Sequence, residues 1–469
     1  MSSWPLRMYH ALPSPLRSLA ASIHGYRLRP WRFGPETDRL TAETIERDGW
    51  SAAEWTRWRE ERRAFILHRA ATRVPYYQEY WNRQRRNGDH RSFEVLEHWP
   101  VLHKDTLRRN PSAFVADDCP IRTMYADHTS GTTGTPLTIW LSRSSVRLWY
   151  ALFEARTRQW HGVDRHDPWG HVGGQPVVRS GQKSPPFWVW NSALNQLYLS
   201  AMHIAPWSVR SYLEAIRKYR LRYLVGYSSS LSFLGQEAAA AGIRFPDLKA
   251  VITNAEPLFE HQRRAIRDGF QCTVQETYGL CEYVCGASEC TSGRLHLWPE
   301  MGEVEILDEA DGPVADGSPG RLVATGLLNP DMPLIRYDTK DRAALGTDTS
   351  PCGCRRQLPS LGKIWGRWDD VIVTKDGRRP VLLDRIFDPP VHVREGQIIQ
   401  DAIGEFRLRV VPADGWSATD ETLLRKALIN LVGEARVTFE LTQQIERTWA
   451  GKFRIIVSNV GKTPDLIRG

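Results

Sequence analysis

The order of short strand-like and helical segments is the feature that most restricts the fold of this chain. Runs rich in β-branched residues read LRYLVGY, LKAVITNAE, QCTVQETYG and GRLVATGL, and several are separated by helical patterns such as SVRSYLEAIRKY and LSFLGQEAAAAG. Strands that alternate with helices pair in a sheet that the helices cover. The order therefore predicts a wound α/β architecture.

The C-terminal part of the chain follows a different pattern. It has a hairpin signal at Asp376-Gly377, an amphipathic helical segment, ETLLRKALINLVGEA, and two strand-like runs, VTFELTQQI and FRIIVSNV. A chain of 469 residues is also too long for one ordinary core. We predict a large α/β domain with wound lobes over residues 1–365 and a small α+β domain over residues 366–469, joined near WGRWDD.

Composition excludes several classes of protein. A hydrophobic fraction of 41%, with 19 Trp, 14 Phe and 15 Tyr, supplies a core and excludes global disorder. No run of 18 apolar residues occurs, and Arg, His and Pro interrupt the N-terminal segment. We therefore predict neither a transmembrane segment nor a secretory signal, and the expected location is cytoplasmic.

The chain has a net charge of +8. Much of the excess lies in WTRWREERRAFILHRAATRVPYYQEYWNRQRRNGDHR, where Glu is interspersed and apolar residues recur near helical spacing. That pattern is typical of the solvated face of an amphipathic helix, so we expect no nucleic-acid partner. The first 35 residues leave open a weak peripheral association with anionic lipid.

The loop TSGTTGTP runs from Thr129 to Pro136. Between these two residues lie four hydroxyl residues and two glycines, which fold tightly and offer backbone and side-chain donors to one anion. An ordinary Ser/Thr/Gly turn has the same composition. A P-loop is excluded, because no Lys-Ser or Lys-Thr follows the glycines at the required spacing.

The order of residues in this loop resembles the phosphate loop of adenylate-forming (ANL) enzymes. Five further segments resemble motifs of that superfamily, in its order: ITNAEPL, QETYGLCE, IRYDTKDRA, GRWDDVIVTKDGRR and RTWAGKFR. The segments HRAATRVPYYQEYW, LVGYSSSLSFL, MPLIRYDTKD and PCGCRRQLPSLGKIWGRWDD are similar to the phenylacetate-CoA ligase branch and its capsular-polysaccharide-associated homologues. The resemblance implies a large adenylate-forming domain followed by a mobile C-terminal domain.

The resemblance also implies a role for individual residues. Lys452 would be the catalytic lysine, and Glu282 would help to hold Mg²⁺ near the phosphates. The hinge would lie at Asp369 or Asp370. The nucleotide would be bound by residues of five motifs: Thr129, Ser130, Gly131, Thr132, Thr133, Gly134, Asn254, Ala255, Glu256, Tyr278, Gly279, Asp341 and Arg367. Cys281 stands where the superfamily has Thr, and Lys340 where Gly is usual.

The implied activity is that of an AMP-forming acid–thiol ligase. A small-molecule carboxylic acid would be activated with ATP and Mg²⁺ as an acyl adenylate and then transferred to coenzyme A. Segments rich in small and aromatic residues, GHVGGQPVV, VGYSSSLSF and ITNAE, favour an aryl or short acyl group. Two alternatives stay open: an adenylating acyltransferase that delivers the acyl group to an amine, sugar or carrier protein, and a non-catalytic nucleotide-binding homologue.

Seven cysteines in a chain of this length do not form a disulfide framework. Because homologues in the branch can carry a structural zinc, SECTSGRLHLW and PCGC suggest a set of one His and three Cys ligands: Cys290, His296, Cys352 and Cys354. Cys285 is a rival to His296 in that set. Buried free cysteines are the alternative interpretation.

Overall fold

The computed structural model describes residues 4–129, 137–347, 350–367, 372–377, 386–387, 391–448 and 451–460. The helices in these ranges are α1 Trp4–Ala11, α2 Ser14–Arg32, α3 Pro35–Arg47, α4 Ala52–Arg73, α5 Pro75–Arg86, α6 Lys104–Arg109, α7 Arg143–Phe153, α8 Val209–Lys218, α9 Ser228–Ala240, α10 Glu260–Phe270 and α11 Ala418–Val432. The first nine strands are β1 Tyr125–His128, β2 Thr138–Leu141, β3 Trp169–Gly173, β4 Trp188–Asn191, β5 Gln196–Ser200, β6 Tyr223–Tyr227, β7 Ala250–Asn254, β8 Thr273–Gly279 and β9 Gly286–Glu289. The other strands are β10 Leu295–Leu297, β11 Gly302–Leu307, β12 Gly320–Gly326, β13 Tyr337–Leu345, β14 Ser360–Arg367, β15 Val393–Ala402, β16 Glu405–Pro412, β17 Arg436–Leu441 and β18 Ile456–Ser458.

A twelve-stranded sheet organises the large domain, in the order β11-β12-β13-β14-β10-β9-β8-β7-β6-β3-β5-β4. Strands β5, β3, β6, β7 and β8 pair in parallel, while the strands from β8 to β11 pair antiparallel. Every residue of β6 is buried, as expected for a parallel strand covered on both faces. The predicted wound α/β architecture is confirmed.

Two helices that cover this sheet approach each other at the level of the backbone. A Cβ atom on Gly269 of α10 would lie 2.0 Å from the carbonyl oxygen of Gly235 in α9. Only glycine permits this approach of the two helices.

Of the N-terminal helices, α2 packs against β4 at the sheet edge. The hydroxyls of Ser18 and Ser22 in α2 accept hydrogen bonds from the backbone N–H groups of Trp190 and Ser192, at 3.2 and 3.0 Å. The Arg-rich segment predicted as amphipathic helix forms α4 and α5, which separate because Pro75 begins the second helix.

A buried cation fastens the end of α3 to the large domain. Arg156 donates to Oδ1 of Asp48 at 3.0 Å and to both carboxylate oxygens of Glu300, at 2.6 and 3.0 Å. Asp48 also accepts from Trp160 and Arg356, at 2.6 and 3.2 Å. The two carboxylates are thereby neutralised inside the protein.

Replacement of Arg156 by Met is expected to lower the free energy of unfolding by about 3 kcal/mol, because Asp48 and Glu300 would stay buried and lose the cation that bridges them. Among the described residues, only Arg356 and Arg47, each at 3.2 Å, would remain as their ion-pair partners. Urea denaturation measures this. The control is Arg39→Met, which removes an exposed ion pair with Glu43 and should cost at most about 1 kcal/mol. Equal losses in both variants would contradict the role of Arg156.

The small domain is a four-stranded sheet in the order β17-β16-β15-β18, with α11 packed on one face. β14 still belongs to the large sheet and runs to Arg367, whereas Ile372 already lies in the core of the small domain. The predicted hinge residues Asp369 and Asp370 fall between them, outside the described residues. Gly377 donates to the carbonyl of Thr374 in the predicted turn at 3.0 Å. The segments flanking that turn lie largely outside the described residues.

None of the helices in the described ranges is both long enough and apolar enough to cross a bilayer.

Candidate active site

The predicted phosphate loop connects two antiparallel strands, β1 and β2. At its base the backbone N–H of Thr129 donates to the carbonyl of Leu137 at 2.9 Å, and Leu137 donates back to the Thr129 hydroxyl at 3.0 Å. Ser130, Gly131, Thr132, Thr133 and Gly134 lie outside the described residues. The base of the loop is thus closed by two hydrogen bonds.

The predicted ribose-binding carboxylate lies beside the end of β8. The hydroxyl of Tyr278 donates to Oδ2 of Asp341 at 2.7 Å, and the Asp341 backbone N–H donates to the hydroxyl of Thr339 at 3.1 Å. Arg367 lies opposite Asp341 in the β13/β14 ladder. Three segments distant in sequence therefore meet at this carboxylate.

The backbone conformation of Lys340 is one that glycine adopts more readily than other residues. Its φ is +64°, in the left-handed region that side chains disfavour. The ammonium group forms an ion pair with Asp338 at 3.1 Å, and Asp338 also pairs with Arg321 at 3.1 Å. Lys340 is thereby held by a carboxylate other than Asp341.

Glu282 is buried beside a cation and a phenol. Its Oε1 accepts hydrogen bonds from the ammonium group of Lys104 at 3.0 Å and from the hydroxyl of Tyr337 at 2.8 Å. Its Oε2 accepts no hydrogen bond within the part of the chain that the structure describes. One carboxylate oxygen is therefore oriented by the protein, and the other is available to a ligand.

The turn after β7 faces both the site and the small domain. Ala255 has a φ of +63°, and the side-chain oxygen of Asn254 is buried without a partner among the described residues. The carboxylate of Glu256 accepts the backbone N–H of Ser229 at 3.0 Å and that of Phe453 in the small domain. The side chain of Glu256 thus bridges the two domains.

Cys281 faces a neighbouring carboxylate, Asp127, which also accepts the hydroxyl of Tyr283. Burial, and after it the charge of Asp127, raises the pKa of the Cys281 thiol well above its usual range. The thiol therefore stays protonated at neutral pH, as a weak donor where the superfamily has a hydroxyl.

Two cavities adjoin these residues. One of about 470 Å³ extends from Ala255 and the end of β8 to an aromatic wall that includes Trp149, Tyr150 and Trp298. The other, of about 880 Å³, shares lining residues with it, among them Asn254, and reaches to α2. Together they provide space for an organic ligand beside Asn254.

Lys452 lies on a tight turn of the small domain that packs against the large one. The Thr448 backbone N–H donates to the Lys452 carbonyl at 2.9 Å, and the Lys452 N–H donates to the Thr448 hydroxyl at 3.1 Å. Gly451, with a φ of +76°, is in this turn, and a Cβ there would lie 3.1 Å from Gly174 and 3.5 Å from Tyr227. Gly174 directly precedes Gln175, which lines both cavities. Lys452 is thus at the domain boundary beside the cavities.

The four predicted zinc ligands form a separate cluster. The ligand atoms of Cys290, His296, Cys352 and Cys354 all lie within 4.8 Å of one another. The sulfurs of Cys290 and Cys352 are 3.6 Å apart, and a tetrahedral site with Zn–S bonds of about 2.3 Å separates its sulfurs by about 3.8 Å. Nε2 of His296 is 3.3 Å from the Cys354 sulfur, and its Nδ1 lies 3.2 Å from the carbonyl of Leu358. That carbonyl would fix the tautomer that leaves Nε2 to a metal.

The structure separates Cys285 from this cluster. Cys285 is fully buried near Tyr278 and Asp341, whereas His296 is buried within the cluster beside Trp160. Of the two rivals, His296 is therefore the one with ligand geometry.

Three side chains of the site have no counterpart in the sequence-based prediction. Lys104 and Tyr337 orient Glu282, and Asp127 lies beside Cys281. Lys104 precedes the first matched motif, and only tertiary contacts bring it to Glu282. Tyr337 lies within the predicted motif IRYDTKDRA, and Asp127 lies two residues before the phosphate loop, so their position in or beside a motif was the available signal.

Comparison with known proteins assigns the chain to a family. The family model "AMP-binding enzyme" matches residues 55–328, more than half of the chain, and "CapK C-terminal domain" matches residues 372–459. Protein CapK of Staphylococcus aureus is 22% identical over 82% of this chain and 85% of its own length. A phenylacetate-coenzyme A ligase of Pseudomonas putida is 26% identical over 67% of this chain and 71% of its own.

A solved structure shares the fold. The 2-hydroxyisobutyryl-CoA ligase in its postadenylation state superposes with a TM-score of 0.68 at 20% identity, covering 88% of this chain and 91% of that one. The fold and the matches define an adenylate-forming enzyme, an AMP-forming acid–thiol ligase. The chain belongs to the AMP-binding enzyme family, and its relatives are those of the phenylacetate-CoA ligase and CapK branch.

Proposed function

We propose that this enzyme activates an aryl or short-chain carboxylic acid with ATP and transfers the acyl group to coenzyme A. The observation that carries the proposal is that the three predicted residues adjoin the lining of two neighbouring cavities. Tyr278, which donates to Asp341, and Cys281, which precedes Glu282, line the smaller cavity, and the Lys452 turn packs against Gly174 beside Gln175. Phenylacetate-coenzyme A ligases among the relatives support the aryl acid and coenzyme A.

Adenylation needs positioning and charge neutralisation more than proton transfer. A carboxylate oxygen of the acid attacks the α-phosphorus of ATP, the bond to the bridging oxygen breaks, and pyrophosphate leaves. Lys452 would meet the negative charge that develops on the α-phosphate. The loop from Thr129 to Gly134 would hold the departing phosphates. The thiol of coenzyme A then attacks the acyl carbon, loses its proton, and displaces AMP.

Glu282 fits the part of a Mg²⁺ ligand. Its Oε2 is available, and Mg²⁺ is commonly bound by one or two carboxylates together with phosphate oxygens and water. Mg²⁺ supplies charge neutralisation at the phosphates when it is bound. Lys104 and Tyr337 would hold the carboxylate in one orientation for this purpose.

The smaller cavity favours an aromatic acid. Trp149, Tyr150 and Trp298 supply flat apolar surfaces, and Asn254 supplies an unpartnered acceptor at the end near the nucleotide site. The adjoining larger cavity would admit a substituted ring.

The Cys₃His cluster supports a structural zinc ion. It would join the turn between β9 and β10 to the loop between β13 and β14. Because β13 carries Asp341 and β14 ends at Arg367, the ion would stiffen the ladder that positions the nucleotide site.

The test is ATP-dependent pyrophosphate exchange across a panel of aryl, fatty and hydroxy acids, followed by product analysis with and without coenzyme A. Exchange with an aryl acid, and a thioester formed only with coenzyme A, are the expected results. Exchange without thioester would favour transfer to an amine, sugar or carrier protein. The absence of exchange with every acid would contradict an adenylating activity on these acids.

Asp341→Ala is expected to weaken ATP binding at least tenfold. The change removes a charge-assisted acceptor for ribose hydroxyls, and such hydrogen bonds are worth roughly 1.5–3 kcal/mol each. Isothermal titration calorimetry gives the dissociation constant, and Asp105→Ala, at an exposed carboxylate, is the control. An unchanged ATP affinity in Asp341→Ala would refute this role.

A further inference from the structure

Two segments of the chain contain no acidic residue. Residues 1–35 carry five arginines before the first acid, Glu36, and residues 168–213 carry three cations, Arg179, Lys183 and Arg210, before Glu214. The first acids after the N-terminal segment, Glu36 and Asp38, are neutralised in ion pairs with Arg147 and Arg165. The charge of both segments is therefore positive.

The two acid-free segments lie against each other in the structure. The Tyr9 hydroxyl donates to the carbonyl of Val177 at 3.2 Å, and Nε of Arg179 donates to the carbonyl of His10 at 2.8 Å. Arg17 in α2 donates to the side chain of Gln182 at 3.2 Å. The tertiary structure thus joins the two segments into one basic face, which we define as α1, α2 and the chain from 174 to 186.

An apolar stripe lies along α2 on this face. Leu16, Leu19, Ile23 and Tyr26 are spaced by three, four and three residues, which places them on one side of the helix. They are 46%, 54%, 49% and 57% exposed, and none packs in a core of the described residues. Other sides of α2 contact β4 and line the larger cavity. The stripe is therefore a third, outward side.

A second exposed aromatic side chain belongs to the acid-free chain that follows. Trp207 is 60% exposed and contacts Phe187 only edge-on. Exposed tryptophan is typical of membrane–water interfaces, because its ring is apolar and also donates a hydrogen bond.

We infer that the basic face is a docking surface for the anionic headgroups and outer acyl region of a lipid bilayer. An amphipathic helix with exposed Leu and Ile beside arginines, and no carboxylate, has the composition of helices that lie in a membrane interface. A nucleic acid would neutralise the arginines but would not cover the apolar stripe of α2. A second copy of the chain would cover the stripe but bring a like-charged face against the arginines. The anionic bilayer matches both features.

The test is co-sedimentation of the full-length protein with vesicles of phosphatidylcholine alone or with about 30% phosphatidylglycerol. Binding is expected only to the anionic vesicles, and raising NaCl from about 0.1 M to about 0.5 M should weaken it by screening. The triple variant Leu16→Ser/Leu19→Ser/Ile23→Ser should partition at least about tenfold less. Its control, Ile403→Ser/Leu441→Ser, changes two side chains of the small domain that are each 51% exposed, and should bind as the unmodified protein does.

A charge variant tests the same surface independently of the stripe. Arg27→Glu/Lys183→Glu reverses one exposed cation in each acid-free segment, and binding should fall at least about tenfold. Thermal unfolding by circular dichroism checks that each variant is folded, so that a misfolded triple variant leaves the charge variant decisive.

Three outcomes would overturn the inference. One is equal binding of the unmodified protein to neutral and anionic vesicles, or to neither. Another is a dimer in light scattering that the triple variant dissociates, without vesicle binding. The third is binding of single-stranded RNA, undiminished in the triple variant, without vesicle binding.

Discussion

Lys452→Ala should lower the rate of adenylate formation by about 100- to 1000-fold, the usual effect of removing a group that stabilises developing charge. The turn that carries Lys452 packs against Gly174 and Tyr227 beside the cavities. In the proposed mechanism its ammonium group meets the charge that develops on the α-phosphate. Pyrophosphate exchange with an acid that supports the unmodified enzyme measures the effect.

The second half-reaction separates this role from a general loss of structure. With a chemically prepared acyl adenylate, thioester formation by Lys452→Ala should stay within a fewfold of the unmodified enzyme. Lys426→Ala, which changes an exposed lysine of α11, should leave both half-reactions unaltered. Unchanged pyrophosphate exchange in Lys452→Ala would exclude the catalytic assignment.

Cys352→Ser should remove the metal and destabilise the large domain. The purified protein is expected to contain about one equivalent of zinc, because three thiols and an imidazole lie at tetrahedral spacing without a redox partner motif. Loss of only about 2 kcal/mol of the binding energy would lower the melting temperature of a domain of this size by about 2–3 °C. Metal content by plasma mass spectrometry and thermal unfolding measure the two effects.

Cys285→Ser is the matched control, since Cys285 is also buried but lies outside the cluster. The Cys285→Ser variant should retain about one equivalent of zinc. A metal content near zero after purification without chelator, or full metal in Cys352→Ser, would contradict the zinc site. The four side chains would then be interpreted as buried groups that bind no metal.

Agreement between sequence and structure is greatest where the pattern is local. The runs around Tyr223 and Ala250 are strands β6 and β7 because their β-branched and apolar residues fill buried positions. The run around Thr273 is β8, in which Val274 and Gln275 are buried. The helix predicted in the small domain is α11 for the same reason, with Leu424 and Leu428 at helical spacing in the core. Local side-chain chemistry suffices for such elements.

The site was accessible to sequence only through its motifs. Asp341 and Tyr278 belong to different motifs, and their hydrogen bond follows from the order of strands between β8 and β13, which no periodicity encodes. The left-handed φ of Lys340 and its ion pair with Asp338 are likewise not encoded by any periodicity. The contact between Glu256 and Phe453 needs the small domain in place.

The sequence by itself determined the alternation of elements, the family and the identity of the chemical groups, because these depend on residue type and spacing along the chain. Only the tertiary structure decided that Lys104 neutralises Glu282, that His296 and not Cys285 joins the thiol cluster, and that two acid-free segments form one face. The physical reason is distance along the chain. Lys104 and Glu282 are separated by 178 residues, and whether such groups meet depends on how whole layers of helices and strands bury their apolar surfaces.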